Sequence, residues 1–105
     1  MLIQVIELKK NMYYAVYDIS DDKTRTHTIQ ALKDVGFVRI QKSVFCGSLS
    51  SQQKKDLTET LNRITGENES VYLILACHKC FGKVTIIGHG FDKEYVANDL
   101  ESLVF

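Results

Sequence analysis

The chain has 105 residues, 45% of them hydrophobic, and its 13 basic side chains balance 13 acidic ones. This length holds one core rather than two, and the apolar share excludes an intrinsically disordered chain. A formal charge of zero argues against a protein whose whole surface grips a phosphate backbone.

The opening MLIQVIELKKN has no basic segment ahead of its apolar residues and no small-residue cleavage site, so no secretory signal is expected. No apolar run reaches the roughly 18–20 residues that cross a bilayer. Three cysteines, an odd number, do not make a disulfide framework and fit a reducing compartment. A cytoplasmic protein that avoids membranes is the expectation.

Residues 12–19, MYYAVYDI, are rich in aromatic and branched side chains and form the first expected strand. Ser20, Asp21 and Asp22 then offer caps for a helix that carries Ala31, Leu32 and Val35 on one face. Gly36 stands where a C-terminal glycine belongs. Residues 37–49, FVRIQKSVFCGSL, are either one bent strand or two short strands meeting at Gln41–Lys42, where no turn residue marks a hairpin. A second helix is expected over 51–65, capped by Ser50 or Ser51, with Leu57, Leu61 and Ile64 at i, i+4 and i+7 and Gly66 closing it. VYLILAC, 71–77, is a continuous apolar run and reads as a central strand buried on both faces. KVTIIGHG, 83–90, reads as a further strand. The tail, 94–105, carries enough apolar surface to dock, on a second subunit among other places. The order predicts an α+β sandwich with helices on one face of a largely antiparallel sheet, most simply a ferredoxin-like βαββαβ fold.

Charge is unevenly spread. Residues 37–55 hold Arg39, Lys42, Lys54 and Lys55 and no acid, whereas residues 92–105 hold Asp92, Glu94, Asp99 and Glu101 against Lys93. These are either two solvated faces or a basic patch for nucleic acid with an acidic tail kept apart.

Asp18 ends the most strand-like stretch in the chain. A carboxylate at a strand's carboxyl end, just before a helix, suits a metal ligand or catalytic group, and equally a helix cap or an ion-pair partner. Asp21 and Asp22 read as helix caps. Magnesium takes one or two carboxylates plus waters, so one Asp18 per chain is thin, and a two-fold dimer that brought two copies together would supply a pair. Lys23, Arg25 and His27 fall at i, i+2 and i+4, where Arg25 suits a phosphate and His27 a proton or a solvated helix face.

CHKC, Cys77 to Cys80, supplies two of the four ligands of a structural zinc, and the others would have to come from Cys46, His78, His89 or a second subunit. A thioredoxin-type dithiol needs its motif to open a helix, whereas this one runs into the strand-like KVTIIG. Two ordinary cysteines at a turn are therefore expected. No Walker loop, dinucleotide fingerprint, HExxH or serine elbow is present.

Together, YYAVYDISDDKTR at 13–25 and VRIQKSVFCGSLS at 38–50 resemble the CRISPR-associated Cas-two family in motif, order and separation. The resemblance covers 12–105 as one domain, with 1–11 as an N-terminal extension. It implies a ferredoxin-like homodimer with an extra C-terminal strand crossing to the partner, and two strands within 37–49. It also implies a role in spacer acquisition, bridging the Cas-one integrase on incoming duplex DNA. Some members are described as metal-dependent nucleases on single-stranded RNA or double-stranded DNA. On this resemblance Asp18 is the metal ligand, paired across the dimer around magnesium, and Tyr17, Arg25 and Phe45 join it as residues of the activity. Arg25, Arg39, Lys42 and Ser43 are the nucleic-acid contacts. His27 stands where some relatives have a second arginine, and neither Cys46 nor CHKC matches the family pattern. In a nuclease, Arg25 and Arg39 would neutralise phosphates while Tyr17 or Phe45 stacked on or positioned a base. In a bridging protein the basic positions would hold the duplex backbone and Asp18 would be structural. A toxin-type ribonuclease on the same fold is the alternative.

Overall fold

The computed structural model describes residues 9–88 and 90. Seven elements follow in chain order: β1 (Asn11–Asp18), α1 (Asp22–Asp34), β2 (Val38–Gln41), β3 (Val44–Leu49), α2 (Ser51–Ile64), β4 (Ser70–Ala76) and the short α3 (His78–Gly82). The four strands form one antiparallel sheet in the order β2-β3-β1-β4. This is the ferredoxin-like βαββαβ arrangement, with β1 central.

Local chemistry sets the helix ends. Asp21 caps α1, its side chain accepting from the Thr24 N–H at 2.9 Å. At the other end Gly36, at φ 88°, lets the chain reverse. There the Gly36 N–H donates to Lys33 O at 2.9 Å and the Phe37 N–H to Leu32 O at 3.0 Å, the two bonds of a Schellman motif. Ser50 caps α2 in a capping box with Gln53.

Alternation along β1 divides the sheet into two faces. Tyr13, Ala15, Tyr17 and Ile19 face α1 and α2 and join Leu32, Phe37, Phe45, Leu49, Leu57 and Leu61 in the main core. Each leucine, isoleucine and phenylalanine among them, fully buried, contributes about 1.5–3 kcal/mol. Gly47 on β3 leaves room for the Phe37 ring, which a Cβ there would strike. On the opposite face Met12 and Cys46 are covered by Phe81 of α3, with Tyr14, Val38 and Ile40 beside them.

One open alternative closes, on the two-strand reading that the resemblance implied, and two expectations change. The 37–49 segment resolves into a hairpin whose turn is Lys42–Ser43, with a register shift between Arg39 and Gln41. Among the described residues β4 is an edge strand, not a central one: Tyr72 is 62% exposed, Leu75 63% and Ile74 47%. Its apolar run reflects side chains on both faces that the described residues leave uncovered. Residues 83–88 are not paired as a strand; the Lys83 and Val84 N–H groups close the end of α3 on Cys80 O and Phe81 O. His89, the tail 94–105 with its expected extra strand, and residues 1–8 lie outside the described residues. No helix among the described residues is long and apolar enough to cross a membrane.

Candidate functional site

The carboxyl end of β1 gathers most of the residues singled out from the sequence. Tyr17 and Asp18 are neighbours in the chain but take opposite faces of the sheet. Tyr17 is buried on the helix side. Its hydroxyl donates to Lys42 O at 3.0 Å and accepts from Arg39 Nη2 at 3.2 Å. Arg39 also lies over the Phe45 ring, 5.2 Å from its centroid, within cation–π range. The Tyr17 N–H donates to Ser43 O at 3.1 Å, so the Lys42–Ser43 turn is held against the strand end by two bonds from one residue. Tyr17, Arg39, Lys42, Ser43 and Phe45 thus form one connected group.

Phe45 is 0% exposed, which corrects the expectation that it stacks on a base. Stacking needs an open ring face, and both faces of this ring are spent on the core and on Arg39. Its place is that of a support beneath the guanidinium. Tyr17, at 4% exposure, is likewise a positioning residue.

Arg25 reaches back from the first turns of α1 to the β1–α1 loop. Its Nη1 donates to Ile19 O at 3.1 Å and to Ser20 O at 3.4 Å, and its Nη2 pairs with Asp22. Much of its donor capacity therefore goes to shaping the loop after Asp18. His27 is exposed on the same helix.

The three acids of this loop divide by role. Asp21 is the cap, and the Thr24 N–H beside it holds its carboxyl below the usual carboxylate range. Asp22 pairs with Arg25. Asp18 is exposed, opposite Ser70 on β4, and its carboxylate has no hydrogen bond or ion pair among the described residues. The helix-cap alternative for Asp18 is thereby removed. No three His, Cys, Asp or Glu side chains among the described residues stand close enough to share a metal ion. At this loop the described residues offer one unengaged carboxylate per chain, which fits magnesium only if a second copy brings another.

A residue that the sequence did not single out completes the loop. Glu69 accepts from the Asp21 N–H at 3.2 Å through Oε2 and from the Gly66 N–H at 3.0 Å through Oε1. It clamps the β1–α1 loop to the α2–β4 turn. Only its position in the polar run ENES hinted at a turn.

At the far end of the sheet CHKC opens α3, against the expectation that it runs into a strand. The Cys77 Sγ caps the turn, accepting from the Cys80 N–H at 3.0 Å. Cys46 is buried on β3, where desolvation pushes its thiol up to about 12.

Comparison with known proteins places this arrangement. Residues 11–84 match the family model of CRISPR associated protein Cas2. A CRISPR-associated endoribonuclease Cas2 of Korarchaeum cryptofilum is 37% identical over 76 residues, 71% of this chain and 82% of that protein. Another so named, from Pyrobaculum aerophilum, is 39% identical over 79 residues, 73% of this chain and 87% of the relative. Among solved structures, a crystal structure of a Cas2 protein superposes with a TM-score of 0.68 at 28% identity, covering 78% of this chain and 91% of the other. A hypothetical protein from Thermus thermophilus superposes equally well, at 29% identity over 78% of this chain and 95% of its own. The matched segment spans every element from β1 to α3, including the Tyr17–Arg39 group and Asp18, and the chain belongs to the CRISPR-associated Cas2 family.

Proposed function

We propose that this chain works as a homodimer in CRISPR adaptation, bridging the Cas-one integrase along the backbone of incoming duplex DNA. The observation that carries the reading is the sheet face opposite the helices. Tyr72 and Ile74 lie on it, largely uncovered, beside Tyr14 and Val16, and Asp18 stands at its border. An apolar sheet face of this kind marks an interaction surface, and a second copy supplies a matching one. Arg39 and Lys42, both exposed at one end of the sheet, would contact phosphates, with Ser43 as a neutral donor. Family membership favours this reading over a toxin-type ribonuclease.

A second reading, metal-dependent nuclease activity on single-stranded RNA or double-stranded DNA, is favoured by the unengaged carboxylate of Asp18. A dimer through the open face would turn two Asp18 side chains toward a common axis, where they would hold magnesium. Bound there, the metal would supply Lewis-acid stabilisation and an activated water. Arg39, fixed by Tyr17 and Phe45, would neutralise a phosphate beside it, while Arg25 keeps the loop after Asp18 in shape. The relatives from Korarchaeum cryptofilum and Pyrobaculum aerophilum both bear the name endoribonuclease.

The deciding experiment combines duplex binding, integrase co-capture and cleavage in magnesium with wild type, Asp18→Asn and an EDTA control. The bridging role predicts duplex binding and integrase capture in both proteins. Cleavage lost in Asp18→Asn and in EDTA supports the second reading. Absence of both duplex binding and integrase capture contradicts the first.

A further inference from the structure

We propose that Cys77 and Cys80 form a redox-active dithiol that closes into an intramolecular disulfide by exchange with a low-molecular-weight disulfide. Their sulfurs lie 2.7 Å apart, well inside the van der Waals contact of two sulfur atoms. A disulfide bond is about 2.05 Å long, so closure needs only a small movement. Both side chains are exposed, so a small reagent reaches them directly. The third cysteine is no competitor, because Cys46 is buried on β3 and its thiol is pushed up to about 12.

The two sulfurs are unlike. Hydrogen bonds from Cys80 hold the Cys77 thiol below its usual range, and the same contact raises that of Cys80. Cys77 is therefore the attacking thiolate, and the proton shared between the sulfurs then belongs to Cys80. Exchange runs in two steps. The Cys77 thiolate attacks one sulfur of the small disulfide, forming a mixed disulfide and expelling one thiolate, which takes up a proton. Cys80 then loses its proton and attacks the Cys77 sulfur, expelling the second thiolate. Two protein thiols are oxidised, one small disulfide is reduced to two thiols, and the protons balance.

The turn that closes also seats a core residue. Phe81 follows Cys80 directly, is 3% exposed, and lies 6.1 Å from the Tyr14 ring, over Met12 and Cys46. The Phe81 N–H donates to Cys77 O at 2.9 Å. α3 is only five residues long, so a covalent link across its first turn staples Phe81 to the sheet.

The test equilibrates the full chain with reduced and oxidised glutathione, then traps free thiols by alkylation and reads the intact mass and a peptide map. The wild type should yield a single chain lighter by two hydrogens, with Cys77 and Cys80 protected from alkylation and linked to each other. Cys46→Ser should do the same. Cys80→Ser should stop at a glutathione adduct on Cys77, and Cys77→Ser should form no internal disulfide. Amide exchange at Phe81 should slow on oxidation of the wild type. A wild type that stays reduced across the series, or that collects only adducts or cross-linked chains, overturns the proposal. So does loss of the link in Cys46→Ser, and unchanged exchange at Phe81 overturns the stapling.

Discussion

Arg39 Nη2 donates to the Tyr17 hydroxyl at 3.2 Å, from the hairpin strand β2 to the central strand β1. The hydroxyl in turn donates a hydrogen bond to Lys42 O, so one buried phenol fixes both a guanidinium and a turn. Tyr17→Phe keeps the ring in the core and removes both bonds. The expected cost is about 1 kcal/mol of stability, read as a lower urea midpoint. Affinity for duplex DNA should fall with it in a binding titration.

Phe45 acts through packing rather than through contact with a base. Phe45→Ala should cost about 3–5 kcal/mol and lose binding through unfolding. Phe45→Leu fills most of the same volume, so it should retain the fold and most of the duplex affinity. Calorimetry beside a binding titration separates the two effects. A folded Phe45→Leu protein with binding abolished would restore a direct role for the ring.

Glu69 holds two loops through two backbone N–H groups. Glu69→Ala frees both donors and should cost about 1 kcal/mol in urea unfolding. Amide exchange at Asp21 and Gly66 should quicken, while the centre of β1 stays protected.

The Asp21 carboxyl is held low by the Thr24 N–H, which fixes the sign of one pH effect. A carboxylate depressed in the folded state adds stability above its unfolded value, and that stability is lost as pH falls through the folded value. Wild-type stability should therefore decline below about pH 4. Asp21→Asn keeps a capping oxygen without the charge, so its urea midpoint should decline less steeply over the same range.

Much of this fold was legible because several signals agreed. The aromatic and branched side chains of MYYAVYDI marked β1 as a strand without showing which of its faces is the core, and Asp21, Gly36 and Ser50 marked the helix ends by chemistry that acts locally. The hairpin at Lys42–Ser43 was not legible in local chemistry, since no glycine or asparagine marks a tight turn there, and only the family resemblance implied two strands. What holds it is Tyr17, 25 positions from Lys42 in sequence. β4 misled because a run apolar on both faces looks alike whether it lies inside a sheet or at an edge awaiting cover. CHKC misled because five helical residues are too few to show a periodicity. At the site, residue types could nominate Asp18, Arg25 and Phe45. Only the packing showed that Arg25 turns back on its own loop, that Phe45 is sealed in the core, and that Asp18 alone of three neighbouring acids is unengaged.

In the proposed homodimer the open sheet face joins two copies of this chain and brings Asp18 to their shared border. Sedimentation equilibrium of wild type beside Ile74→Asp measures it most directly. Ile74 sits on that face and is 47% exposed, so the substitution charges the interface without opening the core. The expected result is a two-chain mass for wild type and a one-chain mass for Ile74→Asp, with unchanged circular dichroism. A wild type that sediments as a single chain at micromolar concentration, or an Ile74→Asp protein that dimerises as well as wild type, would contradict it.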